Sequence, residues 1–532
     1  MFLYFIFTIC YQLNEKKAML YYKPDCNVDD DMDIFLNDCD IVRGRFILDE
    51  SESVYGLDIA YVNKSISVLP RGIEYWENVK CLNLNENLFE TLPNELGELK
   101  SLIHLFLTGN KFTQIPEVIF KLYNLRCLYL NLNKITYISE DIISLKYLNL
   151  LDLSKNRLFS VIDFSRLQKL KDLFLGNNYI GCKNISTEKQ CKNNIMNIFK
   201  ARQLEYLNLN NNNIDMLPEI CNFENMIYLN LDDNLIKHLP RSMECMKKLK
   251  KLYINNNQLS CLKITRCFKQ LEFLSAEKNY IKCVNIDVNG LKKLTHLDLS
   301  NNKLSQFNIN GLHKYLYSLY LNNNNLENIN FIQNCLNISK IAISNNQLID
   351  TTILKNITKY TYICLDLKNF INTLKDQTNR LTVTELVIFG KNEKITGNQI
   401  STSLKSINYK EMWMLSLQYT RLYLIPKEIF NITHLRYLNL SNNKIFTIPK
   451  NIKNLKNLTD LNLRNNRIKI LNKVIFSLEK LVRIDLTGNP LNQIDVQVSW
   501  KVFTNIQYHE TKDHFIIYTT PEQTEYEKAI FI

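Results

Sequence analysis

Leu102-Ile103-His104-Leu105-Phe106-Leu107-Thr108-Gly109-Asn110-Lys111-Phe112-Thr113-Gln114-Ile115-Pro116 combines two kinds of apolar spacing in fifteen residues. Leu105 and Leu107 are two apart, so in extended chain both side chains leave the same face and Phe106 leaves the other. Asn110 stands where the chain must turn away from the strand, and its amide can bond backbone groups the turn leaves unpaired. Phe112 and Ile115 return to the apolar side. The pattern recurs from Leu125 through Leu128, Leu130, Asn133 and Ile135, and again at Leu204/Leu207/Leu209/Asn212/Ile214, Leu294/Leu297/Leu299/Asn302/Leu304 and Leu435/Leu438/Leu440/Asn443/Ile445. The period is 21 to 24 residues in most places, and about nineteen units lie between Leu57 and Ile494.

One such unit cannot bury its own leucines. Stacking the units gives a continuous core and a parallel sheet, with the buried asparagines forming a ladder. The ladder accounts for many of the 71 asparagines. The remaining excess, with abundant Lys, Ile and Tyr, reads as coding bias.

At this copy number the spacing is identified as the leucine-rich repeat signature. Units with Leu92-Pro93-x-x-Leu96, Leu217-Pro218, Ile425-Pro426-x-x-Ile429 and Ile448-Pro449-x-x-Ile452 resemble the Ras-suppressor and Ras-adaptor type. The 22-residue unit from Leu294 to Tyr315 is similar to regulators of type-1 protein phosphatase. The resemblance covers about four fifths of the chain. It implies an α/β solenoid: a leucine-rich repeat horseshoe with a parallel concave sheet and a mostly irregular or short-helical convex side. It also implies an intracellular adaptor whose partner is a protein, with a small GTPase or a phosphatase as the candidate classes.

Five segments are expected: a cap over 1–54, repeats over 55–347, degenerate repeats with a bend or break over 348–411, repeats over 412–495, and a cap or tail over 496–532. In the degenerate stretch Phe370 stands where Asn is expected, Leu386 and Ile388 fall out of register, and Thr420 replaces the next Asn. The repeat from Leu170 is enlarged by residues 182–202, which should project as a loop and short helix on the convex side.

The outward strand positions define the candidate partner surface. Between the paired leucines stand Phe106, Tyr129, Phe174, Tyr253 and Tyr320; two places earlier stand Tyr206, Tyr228 and Phe273. Rigid aromatics with polar tips favour protein interfaces. The same rings also help neighbouring strands pair, and the sequence leaves both readings open.

The net charge is +12, but the basic residues are scattered in pairs and triplets, unlike the single basic face of a specific nucleic-acid binder. Of the 14 cysteines none forms a Cys-x-x-Cys pair, so zinc and redox sites lack their spacing. Cys26 with Cys39, or Cys182 with Cys191, could bridge in an oxidising compartment; the overall spread suits a reduced one. No cysteine follows Cys364, whereas extracellular relatives usually carry cysteine-rich caps. Met1 to Leu13 is an apolar run of signal-peptide length without a basic n-region, so a secreted or surface-exposed recognition protein is the alternative to a cytoplasmic one. No segment reaches the length of a transmembrane helix. No phosphate loop, Gly-x-Ser-x-Gly, His-Glu-x-x-His or kinase signature occurs, so neither catalysis nor a cofactor is expected. Lys473-Val474-Ile475-Phe476 matches a phosphatase-docking motif, but its column in other repeats holds core residues such as Ile429 and Phe430, so it is read as core.

Overall fold

A computed structural model describes residues 45–48, 54–58, 67–69, 73, 77–494 except 182–187, 220–221, 287–290, 309–312, 350, 352, 355–358, 375–380, 391–394 and 492, and the strands 506–511 and 514–519. It forms two compact units, Met1–Leu259 with Cys267–Leu271, and Ser260–Arg266 with Glu272–Ile532.

In the first unit the strand Val54–Asp58 begins a parallel series that continues through Cys81–Asn83, His104–Phe106 and Cys127–Tyr129 to Lys251–Tyr253. From Cys81–Asn83 on, each strand is three residues of the form x-Leu-x or close to it, and the register is constant: Cys81 pairs with His104, His104 with Cys127, and Tyr228 with Lys251. Leu82, Leu105, Leu128, Leu173, Leu207, Leu229 and Leu252 are fully buried. An antiparallel strand, Arg45–Leu48, covers Val54–Asp58 and so occupies an otherwise unpaired edge. In the second unit the same parallel series runs from Phe273–Ser275 to Arg483–Asp485, where the antiparallel strand His514–Thr519 pairs with the last of them.

The asparagine ladder is present. Asn133 donates Nδ2 to Leu107 O at 2.9 Å and Leu130 O at 3.0 Å, and accepts from Phe112 N at 3.1 Å. Asn110, Asn156, Asn178, Asn212 and Asn234 repeat this with their own neighbours. The residue just before a ladder asparagine has left-handed backbone: Gly109, Leu132, Lys155 and Asp233 do, and so do Asn177, Asn211, Asn256, Asn301, Asn323, Asn345, Asn442 and Asn465, with φ between 50° and 59°. Asparagine tolerates this region better than most residues. Eight asparagines beyond the buried ladder thus have a structural reason.

The Leu-Pro and Ile-Pro motifs start short 3-10 turns on the back of the units. Pro93, Pro116, Pro240, Pro426 and Pro449 sit at the N-cap with φ between −54° and −75°. In three turns without proline a side chain caps instead: Ser139 accepts from Asp141 N, Asp163 from Ser165 N and Asn472 from Val474 N.

Among the described residues three helices interrupt the regular turns: α1 (Glu188–Phe199), α2 (Leu367–Leu374) and α3 (Gly397–Lys405). Helix α1 was expected within the enlarged repeat, but it packs rather than projects. Ile195, Ile198 and Phe199 are buried, and Asn194 donates to Phe159 O at 2.9 Å. The candidate pairs Cys26–Cys39 and Cys182–Cys191 lie outside the described residues or side chains.

The degenerate stretch lies inside the second unit, and its strands stay in register. Lys359–Asp366 pairs with both its neighbours, and Leu386 stands opposite Ile363 and Leu415. The reading of Leu386 as out of register is corrected: longer strands and helices α2 and α3 absorb the extra residues, so the pairing itself does not slip. Phe370 is buried on α2, Asp366 takes Asn345 N on its carboxylate, and Thr420 bonds Asn443 Oδ1 at 2.9 Å.

Candidate functional site

The outward strand face is built by the alternation that buries the leucines, and every aromatic residue read from the sequence stands on it, half-buried. In the first unit Phe106 and Tyr129 occupy equivalent positions on paired strands, and their rings lie parallel at 4.8 Å and 7°. Tyr206 and Tyr228 pair likewise at 6.2 Å. Tyr228 also meets Tyr253 of the next strand at 5.5 Å. Phe174 stands between Asp152 and Asn208 in register, with no ring on either side.

Phe273 belongs to the second unit. There it meets His296 at 5.6 Å, and His296 in turn meets Tyr317 at 6.3 Å. Tyr320 meets Tyr362 at 6.1 Å over a buried patch of Ala342, Cys364 and Val387. Tyr362 and Tyr437 extend this face beyond the residues singled out above. The same spacing rule reaches them, since Tyr362 directly precedes Ile363 and Tyr437 directly precedes Leu438.

These contacts cover part of each ring and leave the rest open. Burial pushes the Tyr228 hydroxyl above its ordinary value, aided by the Asp232 charge and opposed by a hydrogen bond with Asn230. Burial raises Tyr253 as well, with Tyr228 and Asp232 adding to it. Tyr228 and Tyr253 therefore stay neutral and can donate or accept hydrogen bonds at physiological pH.

Carboxylates interleave with the rings. Asp172 stands opposite Tyr206 and is pushed up to about 6, first by burial and then by the Glu205 carboxylate, with Lys171 opposing. Glu205 itself pairs with Lys171 at 2.7 Å. Burial raises Asp152 too, although Ser154 donates to it from both backbone and side chain. His104 is lowered by burial and by Arg126, so it is neutral at pH 7. Among the described residues no group of three His, Cys, Asp or Glu side chains is placed to hold a metal ion, and no helix is long and apolar enough to cross a membrane.

One cysteine pair escaped the sequence reading. Cys261 and Cys283 are bonded across the strands Cys261–Ile264 and Cys283–Ile286, which pair in parallel behind the outward face of the second unit. Both residues are exposed. Their separation of 22 residues equals one repeat, and that was the available signal.

Models of leucine-rich repeat families match the chain in several places: a leucine-rich repeat region over 395–498, and leucine-rich repeats over 105–158, 202–259 and 293–314. No curated protein sequence matches it. Among solved structures it is similar to a leucine-rich repeat protein of Leptospira interrogans, with 23% identity over 82% of this chain and 85% of that one and a TM-score of 0.37. It is similar to YopM of Yersinia enterocolitica, with 17% identity over 92% of both chains and a TM-score of 0.43. The ectodomain of the Arabidopsis receptor kinase HAESA, solved with a peptide hormone, shows 21% identity over 84% and 80% of the two chains and a TM-score of 0.45.

Proposed function

Because the chain is a leucine-rich repeat protein, a class whose members typically serve as non-catalytic modules for protein interaction, we propose that it is a scaffold that holds a partner protein against its outward strand face. The observation that carries this reading is the row Tyr206, Tyr228 and Tyr253, three successive strands presenting phenol rings next to Asp172 and Glu205. Such a surface combines apolar area with fixed hydrogen-bonding groups, which suits a protein interface and not a flat apolar contact. The adaptor reading places the protein inside the cell, with a small GTPase or a type-1 phosphatase as the partner class that the repeat subtypes suggest.

The test is the triple substitution of Tyr228, Tyr253 and Phe273 by Ala in the full chain. The expected result is loss of the partners captured by the parent protein, with an unchanged circular dichroism spectrum. Mass spectrometry of the lost proteins reads the partner class. Capture that survives the triple substitution leaves the rings with lateral packing alone.

A second reading, a secreted or surface-exposed recognition protein, is favoured by one observation: the exposed Cys261–Cys283 bond, since disulfides persist in oxidising compartments. Sequencing the mature N-terminus separates the two. Loss of the first 10–20 residues, about the size of a cleaved signal peptide, supports secretion.

A further inference from the structure

A groove of about 660 Å³ opens on the second unit where the chain enters three successive strands, Met414–Gln418, Tyr437–Asn439 and Asp460–Asn462. Its walls include Lys410, Trp413, His434, Arg436, Tyr437 and Asp460. The backbone fixes their order. Arg436 N donates to Trp413 O at 2.8 Å, and Thr459 N donates to Arg436 O at 2.8 Å, so Trp413, Arg436 and Thr459 stand side by side. The same position in the preceding strands holds Thr384 and Thr361, which are small; Trp413 N bonds Thr384 O. The indole, 40% exposed, therefore rises as a wall between short hydroxyl side chains and the Arg436 guanidinium.

The charges in the groove are unequal in availability. Asp460 is engaged, pairing with Arg483 at 2.9 Å and accepting from Thr459 Oγ1 at 2.9 Å. Lys410, His434 and Arg436 are exposed, and among the described residues no acidic side chain pairs with them. Three basic groups thus surround an exposed indole, with Tyr437 half-buried between them. An arginine with free fork geometry takes a carboxylate in two parallel hydrogen bonds, and an indole face takes an apolar side chain.

We propose that this groove binds an acidic linear segment of a partner protein, with carboxylates on Arg436, Lys410 and His434 and an intervening apolar side chain on Trp413. None of Tyr206, Tyr228 and Tyr253 lines this groove. Nucleic acid fits less well. Glu411 and Asp460 also line the groove and oppose either polyanion, so the discriminating feature is the single indole, which takes one apolar side chain and offers no series of stacking platforms.

The test is fluorescence anisotropy of a labelled Asp-Asp-Leu-Asp-Asp peptide with the full-length protein at low salt. Arg436→Glu should weaken binding at least tenfold and Trp413→Ala about fivefold; Lys427→Glu, outside this groove, should leave it unchanged. Raising the salt to about 0.5 M should weaken binding of the parent protein, because the contacts are exposed ion pairs. The proposal is overturned if Arg436→Glu binds the peptide like the parent, or if a single-stranded DNA 12-mer binds as tightly as the peptide and is equally sensitive to Arg436→Glu. Both variants change exposed side chains, and an unaltered circular dichroism melt excludes misfolding as the cause of lost binding.

Discussion

Asn323 donates its side-chain amide to Asn301 Oδ1 at 2.8 Å, one repeat earlier and at the equivalent place. Asn345 donates to Asn323 in the same way at 2.6 Å. All three have left-handed backbone, with φ of 54° to 56°. A second, exposed amide ladder therefore runs beside the buried one, and it continues at Asn465 to Asn442, 2.9 Å.

This geometry separates two contributions at Asn323. Alanine there loses the ladder bonds and also strains the left-handed backbone, for a combined cost of about 1–2 kcal/mol. Glycine loses the bonds but not the conformation, and should cost less than about 1 kcal/mol. Urea unfolding of Asn323→Ala and Asn323→Gly measures both. Equal losses would mean that the backbone conformation contributes nothing.

The buried ladder should be far less tolerant. Asn133 satisfies two carbonyls and one amide, from Leu107, Leu130 and Phe112, and is almost fully buried. Asn133→Ala strands all three groups, at about 1 kcal/mol or more each, so a loss of at least about 3 kcal/mol is expected. Asn133→Asp keeps the acceptor for Phe112 N but cannot donate to the carbonyls, and should be no better. Amide exchange at Phe112 gives the local readout: it should accelerate in the alanine variant and stay slow in the parent.

The repeat core and its register were legible because they follow from a two-residue alternation and a fixed turn residue, as at Leu105, Leu107 and Asn110. The aromatic row was legible for the same reason. What the sequence concealed depended on contacts across repeats. Leu386 looked misplaced because spacing counts the residues of a connection, whereas pairing depends only on where strands meet. The second asparagine ladder needed the sign of φ, which composition does not carry. Helix α1 was expected to project, but Ile195, Ile198 and Phe199 form an apolar face that had to be buried. Cys261 and Cys283 were hidden because the cysteines were weighed outside the repeat frame, where their shared column goes unseen.

The bonded pair gives a chemical prediction. Alkylation of denatured, unreduced protein should modify Cys81, Cys127, Cys245, Cys267, Cys335 and Cys364 and spare Cys261 and Cys283. Cys283→Ser should lower the melting temperature, since closing a 22-residue separation restricts the unfolded chain by about 3 kcal/mol in the loop-entropy account. Modification of Cys261 and Cys283 at the level of Cys335 would remove the support for an oxidising compartment.

Asp172 gives a pH dependence whose sign is fixed by its surroundings. Its carboxyl is raised from 3.8 to about 6 in the fold, by burial first and by Glu205 second. A raised acid favours the protonated form, so its stabilising contribution is complete below the unfolded value and is lost as pH rises through about 6. Asp172→Asn removes the ionisation while keeping a similar shape. The variant should therefore melt higher than the parent at pH 7.5, by an amount equivalent to about 1 kcal/mol after allowing for solvent screening of a half-buried group. The difference should shrink between pH 6 and pH 4, where the parent carboxyl takes up its proton. A difference that is flat from pH 4 to pH 7.5 would mean that Asp172 titrates in the fold as it does in the unfolded chain.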